Sequence, residues 1–124
     1  MRSLNLSSTD IDGSGLKYLS PQRKLFSLVL AHTQVCRGLE SVADLPELYL
    51  ISLDFTPLTD EAIEPLSRSI SLNEIYFRGT EVTDEGLMQL AKIPSLRRML
   101  VANSKVTPEG IQRLKAIRPD VATD

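Results

Sequence analysis

The sequence predicts an α/β solenoid of about five repeats of 23–24 residues, with a parallel sheet on the concave side and short helices on the convex side. Three observations predict it. An apolar frame recurs from end to end, a period of two runs inside each frame, and a helix-start signature follows at a fixed distance.

The frame reads L-x-x-L-x-L-x-x-T. It is filled by Met1, Leu4, Leu6 and Thr9, then by Leu25, Leu28, Leu30 and Thr33, then by Leu48, Ile51, Leu53 and Thr56. Leu72, Ile75, Phe77 and Thr80 continue it, and Leu96, Met99, Val101 and Ser104 complete the fifth window. Successive windows step by 24, 23, 24 and 24 residues. Two residues past each hydroxyl stands Ile11, Val35, Leu58, Val82 or Val106. A small residue and an aliphatic one come next, as Gly15-Leu16, Gly38-Leu39, Ala62-Ile63, Gly86-Leu87 and Gly110-Ile111, followed by Leu19, Val42, Leu66, Leu90 or Leu114. The one-residue shortening falls between Val35 and Gly38.

Within Leu28-Val29-Leu30 the period of two sends both leucines to one face and Val29 to the other, so each window supplies one short strand. Thr83-Asp84-Glu85 and Thr107-Pro108-Glu109 carry the features of helix starts: a threonine N-cap, Asp or Pro in the first turn, and acids facing the positive helix end. Leu87 and Leu90 share a helical face, and their side chains meet the strand leucines in a continuous aliphatic core. The glycine at 86 or 110 is expected to let the helix approach the sheet closely. The hydroxyls of Thr9, Thr33, Thr56, Thr80 and Ser104 are expected to form a ladder that bonds carbonyls and amides of neighbouring turns.

The whole chain resembles the leucine-rich-repeat family. The stretch V-T-D-E-G-L-M-Q-L-A-K-I-P-S-L at 82 to 96 is similar to its bacterial and cysteine-containing types, in which T-D-x-G-L opens the outer segment. The resemblance implies one domain over residues 1–124, and a protein-protein interaction module rather than an enzyme. It also implies two alternatives: a substrate-recognition part of a larger catalytic assembly such as a ubiquitin-ligase receptor, or a structural fragment completed by self-association.

Composition sets further expectations. A net charge of -2 gives no positive field for phosphates, so nucleic acid is not an expected partner. The single cysteine, Cys36, excludes an internal disulfide; no basic leader precedes an apolar stretch and nothing approaches a membrane span, so a cytoplasmic location is expected. His32 and Cys36 are the one possible nucleophilic pair, but Cys36 fills the slot held by Thr59, Thr83 and Thr107, which marks it as a helix-start residue. No convergent ligand set implies a metal, no glycine-rich loop implies a nucleotide, and no cofactor is expected. Residues 38 to 64 hold seven acids and no base, while 92 to 118 hold seven bases and one acid. Solvated helix faces, a partner of matching polarity or end-to-end association would each account for this.

The expected site is the concave face, lined by strand residues that point away from the leucines. They comprise Ser27, Val29 and Ala31, then Leu50, Ser52 and Asp54, then Glu74, Tyr76 and Arg78, then Arg98, Leu100 and Ala102. Tyr76 is the expected anchor, beside Ser52 and Leu100, with Asp54, Arg78 and Arg98 as a polar rim. Met1 occupies a core position, so the edge around Leu4 to Leu6 is expected to be covered by a second copy or by further residues.

Overall fold

A computed structural model describes residues 2–124. The core position assigned to Met1 lies outside them. Six short strands run Ser3–Asn5 (β1), Ser27–Val29 (β2), Leu50–Ser52 (β3), Glu74–Tyr76 (β4), Arg98–Leu100 (β5) and Ala122–Thr123 (β6). They form one open parallel sheet in chain order. Five strands were expected from the five windows. The sixth has no leucine frame to announce it and forms through the backbone, Ala122 donating its N–H to Arg97 O at 2.9 Å, with Val121 buried beside it.

Helical segments return the chain between strands. After the 3-10 turn Leu16–Leu19 come Glu40–Ala43 (α1), Asp60–Ile63 (α2, continued by a 3-10 turn through Arg68), Asp84–Leu90 (α3) and Pro108–Ile117 (α4). Thr59, Thr83 and Thr107 are N-caps whose hydroxyls accept the amides of Ala62, Glu85 and Gly110. Between the two layers Leu28, Ile51, Ile75 and Met99 stack in register with Leu30, Leu53 and Phe77, all fully buried. Toward the first repeat the core thins, since Leu4, Leu6, Ile11 and Leu19 are only partly buried. Leu6, Ile11 and Leu19 line a hollow of about 510 Å3 together with Leu16, Asp10 and Asp12. No helix among the described residues is long and apolar enough to cross a membrane.

The hydroxyls do not link neighbouring repeats as expected. Thr33, Thr56 and Thr80 each donate to the carbonyl three residues back, at 2.7 to 2.8 Å, and Thr9 and Ser104 do the same. Three of them also accept the amide two residues ahead, that of Val35, Val82 or Val106. Each hydroxyl closes its own turn because the nearest unsatisfied carbonyl belongs to its own strand.

Side-chain bonds that do join repeats include two clasps at the helix starts. Asp60 accepts both the amide and the hydroxyl of Thr83, and Asp84 accepts both from Thr107, with the amide distances at 2.8 Å. This corrects the expected role of the glycines. A Cβ on Gly86 would stand 2.4 Å from Asp60 Oδ1, and one on Gly110 would stand 2.1 Å from Asp84 Oδ1. Glycine makes room for the preceding repeat's carboxylate rather than for the sheet. Ala62 is tolerated at the equivalent place because the repeat before it is the shortened one, where Cys36-Arg37-Gly38 supplies no aspartate.

The joint between the second and third repeats is built differently. Gln34, Glu81 and Lys105 each donate a backbone N–H to the preceding repeat, to Ile11, Leu58 and Val82, at 3.0 Å. Pro57 holds that place in the third repeat and has no N–H to give. Two aromatic stacks cross this joint instead: Phe26 on Tyr49, with centroids 4.8 Å apart, and His32 on Phe55, at 4.9 Å.

Candidate functional site

Where each of β1 to β5 leaves the sheet the chain turns through one left-handed residue: Ser8, His32, Phe55, Gly79 and Asn103, with φ between +57° and +68°. That turn ends the alternation and fixes which strand residues face outward. Register then assembles them into columns. Ser27, Leu50, Glu74 and Arg98 stand side by side, as do Val29, Ser52, Tyr76 and Leu100. The predicted set is brought together on one face, with Val29, Leu50, Glu74, Tyr76, Arg78 and Leu100 partly accessible and Arg98 exposed.

Two members differ from expectation. Ser52 and Asp54 are buried, Asp54 to 4% exposure. Asp54 Oδ1 accepts the backbone N–H of Arg78 at 2.8 Å, Oδ2 accepts Arg78 Nη2 at 2.8 Å, and Ser52 Oγ donates to Oδ2 at 3.5 Å. Asp54 therefore ties the third repeat to the fourth and is not an open rim charge. Its grip also turns Arg78 inward, leaving Nε buried without a partner.

Tyr76 donates its hydroxyl to Glu74 Oε1 at 2.5 Å, a pair formed by residues two apart on the same face of β4. Burial, followed by that bond and the nearby Glu74 charge, pushes the phenol up to about 12 despite the opposing Arg98 and Arg78. The phenol is neutral and its proton is committed. Arg98 belongs to no ion pair among the described residues, so this part of the face offers one unneutralised cation beside a half-buried aromatic ring and Leu100.

Phe55 was missed. It is 46% exposed, its ring lies against Gly79, and it stacks on His32 within 14° of parallel. The signal was available, because His32 and Phe55 hold the same frame position in successive windows, as do Phe26 and Tyr49. His32 is thereby committed to a stack, and among the described residues no hydrogen bond joins it to the exposed Cys36. Among the described residues no group of three or more His, Cys, Asp and Glu side chains is arranged to hold a metal.

In sequence, residues 1–20 match the family described as Leucine Rich repeat. No curated protein matches the chain. In structure, it superposes on a leucine-rich-repeat protein of Leptospira interrogans with a TM-score of 0.69 and 17% identity, covering 98% of this chain and 30% of that one. The chain has a leucine-rich-repeat fold. The same fold relates it to actin-binding site 2 of leiomodin-1, with a TM-score of 0.62 and 11% identity over 98% of this chain and 65% of that one. It also relates it to an internalin of Listeria monocytogenes, with a TM-score of 0.55 and 14% identity over 98% of this chain and 39% of that one. The chain spans less than two thirds of the length of each of these three structural neighbours.

Proposed function

We propose that residues 1–124 act as one protein-interaction module that binds a protein partner through the concave face, with no catalytic role of its own. The observation that carries this reading is the contrast between the two sides of each strand. From the second to the fifth repeat the inward positions stay apolar and buried, whereas their outward neighbours run Val29, Ser52, Tyr76 and Leu100 in one column and Ser27, Leu50, Glu74 and Arg98 in the next. A fixed scaffold with a chemically varied surface is suited to recognition. The leiomodin-1 neighbour, described as an actin-binding site, lends the fold-level analogy.

Tyr76, Leu100 and Arg98 form the anchor in this reading. An aromatic ring whose hydroxyl is already satisfied by Glu74 loses little on desolvation, and Arg98 supplies charge and planar donors for a partner carboxylate. An exposed free thiol at Cys36 suits a reducing compartment, and we place the module in the cytoplasm. The test uses partners recovered from source lysate with the wild-type chain. Tyr76→Ala with Arg98→Glu is expected to weaken their binding about thirtyfold, the effect of losing one hot spot. Gln89→Ala with Gln112→Ala on the helical side should leave binding unchanged. The opposite pattern, with the concave variant still folded, would move the binding face to the helices.

A further inference from the structure

Phe55 breaks a local rule. The left-handed turn position favours glycine and asparagine, and a bulky aromatic side chain at φ +58° is strained there. A ring serving only to staple two repeats would be driven into cover, yet Phe55 remains half in solvent. One face of the stack ends on Gly79, while the other side belongs to His32, which is itself exposed. The next residue in that column is Ser8, too small to continue the stack.

Two open carboxylates stand on the repeats either side of the pair. Asp10 and Glu81 hold the position two past the left-handed residue in the first and fourth repeats, exposed and outside every ion pair among the described residues. Of the bases on this edge, Arg37 and Arg78 are already paired with Asp12 at 2.6 Å and Asp54 at 2.8 Å, and Lys105 stands beyond Glu81 in the fifth repeat, on the far side from His32.

We propose that this strand-exit edge is a second interaction surface, on which an arginine of a basic protein segment lays its guanidinium over His32, above Ser8, and so extends the His32–Phe55 stack. The inference rests on the reading of the chain as a protein-binding module but not on the Tyr76 anchor. Arginine fits better than lysine because a planar cation covers a ring face while its edge still reaches a carboxylate such as Asp10.

The test probes the wild-type chain by NMR with two capped peptides, (Arg-Gly)4 and (Lys-Gly)4. The arginine peptide is expected to shift the ring protons of His32 and Phe55 and the amide of Ser8, and to bind about fivefold more tightly than the lysine peptide. Phe55→Asn, which suits the left-handed turn and keeps the chain folded, should lose about the same factor. The charge-neutral Tyr76→Ala variant should bind the peptide as wild type does, which separates this surface from the concave anchor. Equal affinity for the two peptides, or shifts confined to other residues, would overturn the proposal.

Discussion

Asp54→Ala is expected to lower the unfolding free energy by about 3 kcal/mol, at the low end of the range for breaking a buried ion pair. The carboxylate is 4% exposed and is the acceptor for both the backbone amide and the guanidinium of Arg78. Removing it strands a part-buried amide donor and leaves a cation whose Nε already lacks a partner. The half-exposed head of Arg78 can turn toward water, which keeps the loss from rising further. Urea midpoints at constant slope would measure it. Pairing the change with Arg78→Met should recover part of the loss, because the uncompensated charge leaves with its partner. A loss below about 1 kcal/mol in the single variant would mean that Asp54 does not hold the third and fourth repeats together.

Gly110→Ala reverses the usual rule for helices. In an ordinary helix this change stabilises by about 1 kcal/mol. Here the new methyl would fall on the Asp84 carboxylate, 2.1 Å from Oδ1, and displace it from the amide and hydroxyl of Thr107. Losing two hydrogen bonds to a charged acceptor outweighs the propensity gain, for a net loss of about 2 kcal/mol. The deciding comparison is the same substitution in an Asp84→Ala background. With the carboxylate gone, Gly110→Ala should become neutral or stabilising. The same negative sign in both backgrounds, read from thermal unfolding, would show that the glycine serves something other than the carboxylate.

The fold was legible because its determinants are periodic and local. A frame repeated in five windows places Leu28, Ile51, Ile75 and Met99 in one buried column whatever the details of the turns. The threonine caps were legible for the same reason, each acting within its own helix. Contacts between repeats were not. Nothing in Asp60 by itself says that its donors belong to Thr83, twenty-three residues on, and the reason for Gly86 lies in the repeat before it. Asp54 faced outward by parity and yet is buried, because parity fixes a direction and not the neighbour that closes over it. β6 escaped notice because backbone pairing needs no leucine. The Phe55 ring was not legible because the repeat frame is defined by its aliphatic positions, though its column partner His32 lies one repeat away.

Pro57 and the missing residue near Cys36 together make this solenoid a laminate of two blocks rather than one evenly bonded stack. Below the sheet, the first two repeats meet the last three without the amide bond or the carboxylate clasp found at other joints, so cohesion there comes from stacked rings and shared core. Hydrogen bonds resist shear because they lose energy steeply with angle, whereas flat rings slide at little cost. Bending should therefore concentrate at this line, with each block moving as a unit, as expected for a chain of repeats whose nearest-neighbour couplings are unequal. Native-state amide exchange would register it. Leu30 and His32, whose amides donate across this line to Ser52 and Asp54, should exchange through openings of lower free energy than Leu53 and Phe55, which donate across the next joint to Tyr76 and Arg78. Uniform protection across the two sites would show that the rings hold as firmly as the bonds they replace.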